Sequence, residues 1–156
     1  MKSKVLLCLA MSGLLAVELL AGEAVGGKTE KLEGTWLTTS AERGGKKLPQ
    51  DLLEKLRQTV QIHGDKYKVT VMDKVQEEGT FKTDPKKNPK TIDLTITSGE
   101  NKGKTQLGIY RLDGDTLSVS LARPGVEERP GAFSTEEGNN FTVFVLKRQK
   151  ETKESK

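Results

Sequence analysis

Apolar and polar positions alternate with a period of two through the middle of the chain. Tyr67, Val69 and Val71 alternate with Lys66, Lys68 and Thr70, and Ile92, Leu94 and Ile96 alternate with Thr91, Asp93, Thr95 and Thr97. That period sends alternate side chains to opposite faces of an extended strand, one dry and one wet. Similar runs at residues 34–41, 59–63, 75–82, 105–112, 116–122 and 141–147 bring the expected number of strands to eight. Gly64-Asp65, Asp73-Lys74 and Asp113-Gly114 are the expected tight connections, Asp-Gly being a strong hairpin signal. One helix interrupts the series between strands one and two, with Pro49 at its first position, Asp51 near its positive end, and Lys55 and Arg57 near its negative end. Leu52, Leu53 and Leu56 form its apolar stripe.

A mainly β, single antiparallel up-and-down eight-stranded barrel with one short helix between strands one and two accounts for this order. Eight strands close around an interior that is either filled by its own side chains or just wide enough for one small ligand. In such a barrel the odd-numbered connections share one rim. Here they include the helix, the polar run 98–104, and the long run 123–140 with Pro124, Pro130 and three glycines. The even-numbered connections are mostly tight. The asymmetry predicts a cup with a mobile, loop-decorated mouth, where functional contacts concentrate. Residues 105–112 and 141–147 carry apolar side chains on both faces, which predicts strands covered on both sides, with the helix at 49–57 as the candidate cover.

Residues 1–24 have the pattern of a secretory signal peptide: Lys2 and Lys4, then an apolar core from residue 5 to 17, then small residues at Gly22 and Ala24. The apolar core is too short to span a bilayer. Residues 25–31 follow as a linker, residues 32–148 as the barrel domain, and residues 149–156 as a disordered basic tail. The expected destination is therefore periplasmic or extracellular, with no transmembrane anchor. Cleavage removes Cys8, the only cysteine, so the mature chain has no disulfide or thiol chemistry. It also removes Lys2, Lys4, Glu18 and Glu23, which leaves the net charge at +4. The excess sits in polar runs at 86–90 and 147–156, so it describes a solvated loop and a terminus, and nucleic acid is not an expected partner.

The residue inventory is poor in catalytic chemistry. His63, the only histidine, precedes the Gly64-Asp65 turn as an exposed strand end, and there is no Gly-x-Ser-x-Gly elbow to present a nucleophile. Glu77 and Glu78 are adjacent in a strand and point to opposite faces, while Asp113 and Asp115 flank a turn glycine. With one histidine and no mature cysteine, neither a transition-metal site nor a cofactor is expected. The run from Gly99 to Thr105 lacks the spacing and the strand-to-helix setting of a phosphate loop. The chain reads as a non-enzyme.

Gly34-Thr35-Trp36 opens the first strand, with Gly allowing close backbone approach and the only Trp positioned to plug one barrel end. Together with Gly45-Lys46-Lys47-Leu48-Pro49, Gly64-Asp65-Lys66-Tyr67, Glu78-Gly79-Thr80-Phe81, the run 84–93, Gly103-Lys104-Thr105 and the run 108–117, it resembles an uncharacterised lipocalin-like domain family of planctomycete bacteria over residues 32–147. The resemblance implies the barrel and no established activity. In lipocalins a basic residue near the end of the last strand packs on the Gly-x-Trp tryptophan, a part that Arg148 or Lys147 would play through cation-π contact. Two functions follow from the barrel. One is a cup holding a small apolar or amphipathic ligand, lined by Trp36, Tyr67, Val69, Val71, Phe81, Ile92, Leu94 and Tyr110, with Gly79 and Gly108 opening space beside Phe81 and Tyr110. The other is a filled barrel, built from the same residues, that meets a protein or cell-envelope partner through its loop-rich rim.

Overall fold

The computed structural model describes residues 31–150. The expected signal peptide and most of the linker and tail lie outside these residues. The barrel strands are β1 (Gly34–Arg43), β3 (Thr59–His63), β4 (Lys66–Val71), β5 (Lys74–Asp84), β6 (Lys90–Gly99), β7 (Thr105–Asp113), β8 (Thr116–Ala122) and β9 (Phe141–Arg148). Each pairs antiparallel with the next, and β9 returns to β1, from Trp36 opposite Arg148 to Arg43 opposite Thr142. The sheet is thus a closed eight-stranded up-and-down barrel with no free edge among its staves. The short helix α1 (Gln50–Leu56) stands between the first two staves.

A small hairpin escapes the period-two reading. Arg43 pairs with Lys46 around Gly44-Gly45, whose φ values of 58° and 72° give a tight turn, and β2 (Lys46–Lys47) adds two residues beside the end of β1. Two of the expected turns sit one residue away from their sequence signal. Val71 pairs with Lys74, so the turn is Met72-Asp73, and Asp113 pairs with Thr116, so the turn is Gly114-Asp115. Met72 and Asp73 both take positive φ, 48° and 61°, the geometry that matches strand twist at some cost to the Met side chain. In α1, Pro49 is the residue before the first turn, and only Leu53 of the leucine stripe is buried; Leu52 remains 40% exposed. The helix ends on Arg57 in the left-handed region, whose side chain pairs with Asp73. Met72 N–H donates to Leu56 O at 2.8 Å, tying the helix end to the β4–β5 turn.

The cover over β7 and β9 is the segment 123–140 and not the helix. Arg129 Nη1 donates to Gly108 O at 2.7 Å and pairs with Asp93 at 2.6 Å. Farther along, Phe133 lies under the Arg111 guanidinium at 5.0 Å, and Thr135 Oγ1 donates to Glu42 at 2.9 Å and accepts Gly45 N–H at 2.9 Å. The segment therefore straps the outer wall from β6 to β1. Beneath it Ile109 and Ser120, paired across β7 and β8 and facing outward, are almost fully buried. The expected mobile rim loop is instead a second packing layer, and that is why both faces of these strands are apolar.

Candidate functional site

The strand alternation directs Val60 and Ile62 of β3, Tyr67, Val69 and Val71 of β4, Phe81 of β5, and Ile92 and Leu94 of β6 toward the barrel axis. Leu117, Val119 and Leu121 of β8 and Phe144 and Leu146 of β9 complete the wall. They line a cavity of about 820 Å³ that opens at one end of the barrel. Its mouth is at the rim of the odd-numbered connections, where Arg43, Gln58, Gln76, Glu77, Glu100, Asn101, Lys104 and Arg123 line it. The apolar body and polar lip are the usual construction of a small-molecule site. Met72 and Val75 are exposed on the same rim.

Six of the sequence-predicted residues, Tyr67, Val69, Val71, Phe81, Ile92 and Leu94, line the cavity, while Trp36 and Tyr110 are buried in the core outside its lining. The polar lip and the walls from β3, β8 and β9 were not among the sequence candidates. The alternation at residues 59–63 and 116–122 carries that information. The two glycines expected to open space are occupied by neighbours. A Cβ on Gly79 would stand 2.6 Å from Tyr67 Cε1, and one on Gly108 would stand 2.5 Å from Leu121 Cδ2. They let large side chains lie flat against the wall, and the hollow is elsewhere.

Tyr67 reaches across the wall to donate its hydroxyl to Glu77 Oε1 at 2.9 Å. Burial, and then the Glu77 carboxylate, push its phenol well above the ordinary value of 10.0. Because the folded state binds this proton more tightly than the unfolded state, the stabilisation is complete below about pH 10 and is lost as pH rises beyond it. In a 295 nm titration, the difference between wild type and Tyr67→Phe is expected to show no phenolate increment until the barrel unfolds. An increment centred near pH 10 with the far-UV spectrum intact contradicts that assignment.

The opposite end is shut. Trp36, fully buried, donates Nε1–H to Leu32 O at 2.8 Å, and the Arg148 guanidinium lies 4.2 Å from its ring centroid. Arg148 also donates to Asp115 Oδ1 at 3.0 Å and to the carbonyl of Glu33. One side chain thereby joins β9, the β7–β8 turn and the segment before β1. Gly34, at φ 122°, leaves room for this guanidinium, since a Cβ there would stand 3.1 Å from Nη1.

His63 is exposed at this closed end, far from the mouth, and its Nδ1 meets Glu33 at 2.5 Å. The Gly64 N–H, with His63 beside it, holds the Glu33 carboxyl below its usual range. Among the described residues no group of three or more His, Cys, Asp or Glu side chains is placed to hold a metal ion, and no helix is long and apolar enough to cross a membrane. No protein-family model matches the chain, and no curated protein matches it.

Proposed function

We propose that the barrel is a non-enzymatic binding cup, exported across the inner membrane, that holds one small apolar or amphipathic molecule. The observation that carries this reading is the cavity of about 820 Å³ with apolar walls and a polar mouth. Its volume falls within the roughly 300–1,000 Å³ of small-molecule sites. A solid barrel presenting only its rim to a protein partner needs side chains that meet at the axis, and the cavity weighs against it. The signal-peptide pattern in residues 1–24 supports export, and the resemblance of residues 32–147 to a lipocalin-like family bears on the barrel alone.

The mature chain, residues 25–156, purified from its native host, is expected to show a one-to-one adduct in native mass spectrometry that is released on denaturation. Delipidated protein is expected to bind an environment-sensitive naphthalene dye once per barrel. Val119→Trp, which fills the cavity from β8, is expected to weaken the dye about tenfold or more while the far-UV spectrum is unchanged. A clean apo mass together with no dye binding overturns the cup and turns attention to protein partners at the rim.

A further inference from the structure

We propose that the cup selects an amphiphile with an anionic head, a carboxylate or a phosphate monoester, held at the mouth by an arc of Arg43, Arg123 and Lys104. This rests on the binding-cup reading and adds the chemistry of the ligand to it. The arc follows from the strand register. Thr142 of β9 pairs with Arg43 on one side, and the preceding Asn140 accepts the Arg123 N–H at 2.8 Å on the other. The two arginines thus flank the start of β9, two strand spacings or about 10 Å apart. Gly125 N–H donates to Thr105 O at 2.8 Å, and a Cβ at Gly125 would touch Lys104 Cδ at 3.5 Å, so Lys104 continues the arc beyond Arg123.

These cations come from three separate segments and converge on one lip of the cavity. Among the described residues neither Arg43 nor Arg123 has a carboxylate partner, and Lys104 Nζ donates only to the neutral Asn101 Oδ1 at 3.3 Å. Two carboxylates share the lining. Glu77 is engaged by the Tyr67 hydroxyl, and Glu100 is exposed at the β6–β7 connection. Gln58 and Gln76 complete the far side of the mouth without charge.

An elongated molecule suits the space. From Leu117 to Arg123 the wall runs about 20 Å along β8 and its continuation. An alkyl chain gains by leaving water along that wall, whereas a charged head loses heavily if it follows. The head therefore stays at the lip, where guanidinium groups offer paired donors matched to carboxylate or phosphate oxygens. An ammonium head meets the same arc as repulsion.

Calorimetric titration of the delipidated mature protein with dodecanoate, dodecyl phosphate, dodecanol and dodecylamine tests this. The two anions are expected to bind several-fold more tightly than dodecanol, and dodecylamine more weakly. Arg43→Gln and Arg123→Gln are each expected to weaken the anions about threefold to fivefold, with dodecanol unchanged. Raising the salt to 0.5 M is expected to shrink the same difference by screening. The stronger of the two anions identifies the head. Equal binding of dodecanol, tighter binding of dodecylamine, or indifference to both substitutions overturns the anionic head while leaving the cup intact. Inorganic phosphate binding as tightly as dodecyl phosphate assigns the arc to a free anion instead. Failure of all four chains to bind overturns the cup itself.

Discussion

Trp36→Ala is expected to lower the thermal midpoint by about 10–20 °C, the largest loss from any single truncation in the barrel. Trp36 has no exposed surface, and its ring lies between the core and the Arg148 guanidinium. Truncating a buried Trp costs about 3–5 kcal/mol through lost burial and the cavity left behind. The Leu32 carbonyl then loses its donor, and Arg148 loses the π face that helps to fix it. Because Arg148 binds the Glu33 carbonyl and Asp115, the damage spreads to the segment before β1 and to the β7–β8 turn. Trp36→Phe keeps most of the volume and is expected to recover more than half of the loss. Thermal unfolding followed by far-UV circular dichroism reads all three proteins. A shift of only two or three degrees for Trp36→Ala shows that the floor is not a structural keystone.

The staves were legible because a barrel wall exposes one face to each environment, and β4 and β6 write that difference as strict alternation. Closure was legible from the number of staves and the short even-numbered turns. The outer layer was not. Its anchors are Arg129 on a strand carbonyl, Phe133 under Arg111, and Thr135 on Glu42, three contacts with no common spacing inside a segment rich in Gly and Pro. The helix was recognisable by its leucines, yet only Leu53 turns inward, since α1 is two turns long and contacts the barrel mainly through β1. The one-residue offsets at Met72-Asp73 and Gly114-Asp115 arise because hairpin chemistry fixes a turn to within a residue, while cross-strand pairing fixes the register. The polar lip escaped for a further reason. Arg43, Gln58, Lys104 and Arg123 lie at strand ends and connections, where sequence gives no inward or outward sense.

Whether the interior is hollow depends on how far each large side chain lies from the axis, and Gly79 controls that for Tyr67. Gly79→Ala is expected to cost about 3 kcal/mol, the upper end for inserting a single methyl group into a packed wall. Its Cβ would stand 2.3 Å from Thr95 O on the neighbouring strand, and 2.6 and 2.8 Å from Cε1 and Oη of Tyr67. The carbonyl belongs to β6 and cannot swing aside, so the strands must part. The Tyr67 ring can move, and moving disturbs both its hydrogen bond to Glu77 and the cavity wall it lines. Lower stability and weaker dye binding are therefore expected together. Gly114→Ala separates this clash from backbone strain. Nothing lies near its Cβ, but its φ of 55° disfavours any side chain, so it is expected to cost about 1 kcal/mol and leave binding unchanged. Introduced into a Tyr67→Ala background, which removes the ring, Gly79→Ala is expected still to lower stability relative to Tyr67→Ala alone, because the Thr95 carbonyl remains. No further loss on adding Gly79→Ala to Tyr67→Ala would locate the clash in the ring alone and remove β6 from the account.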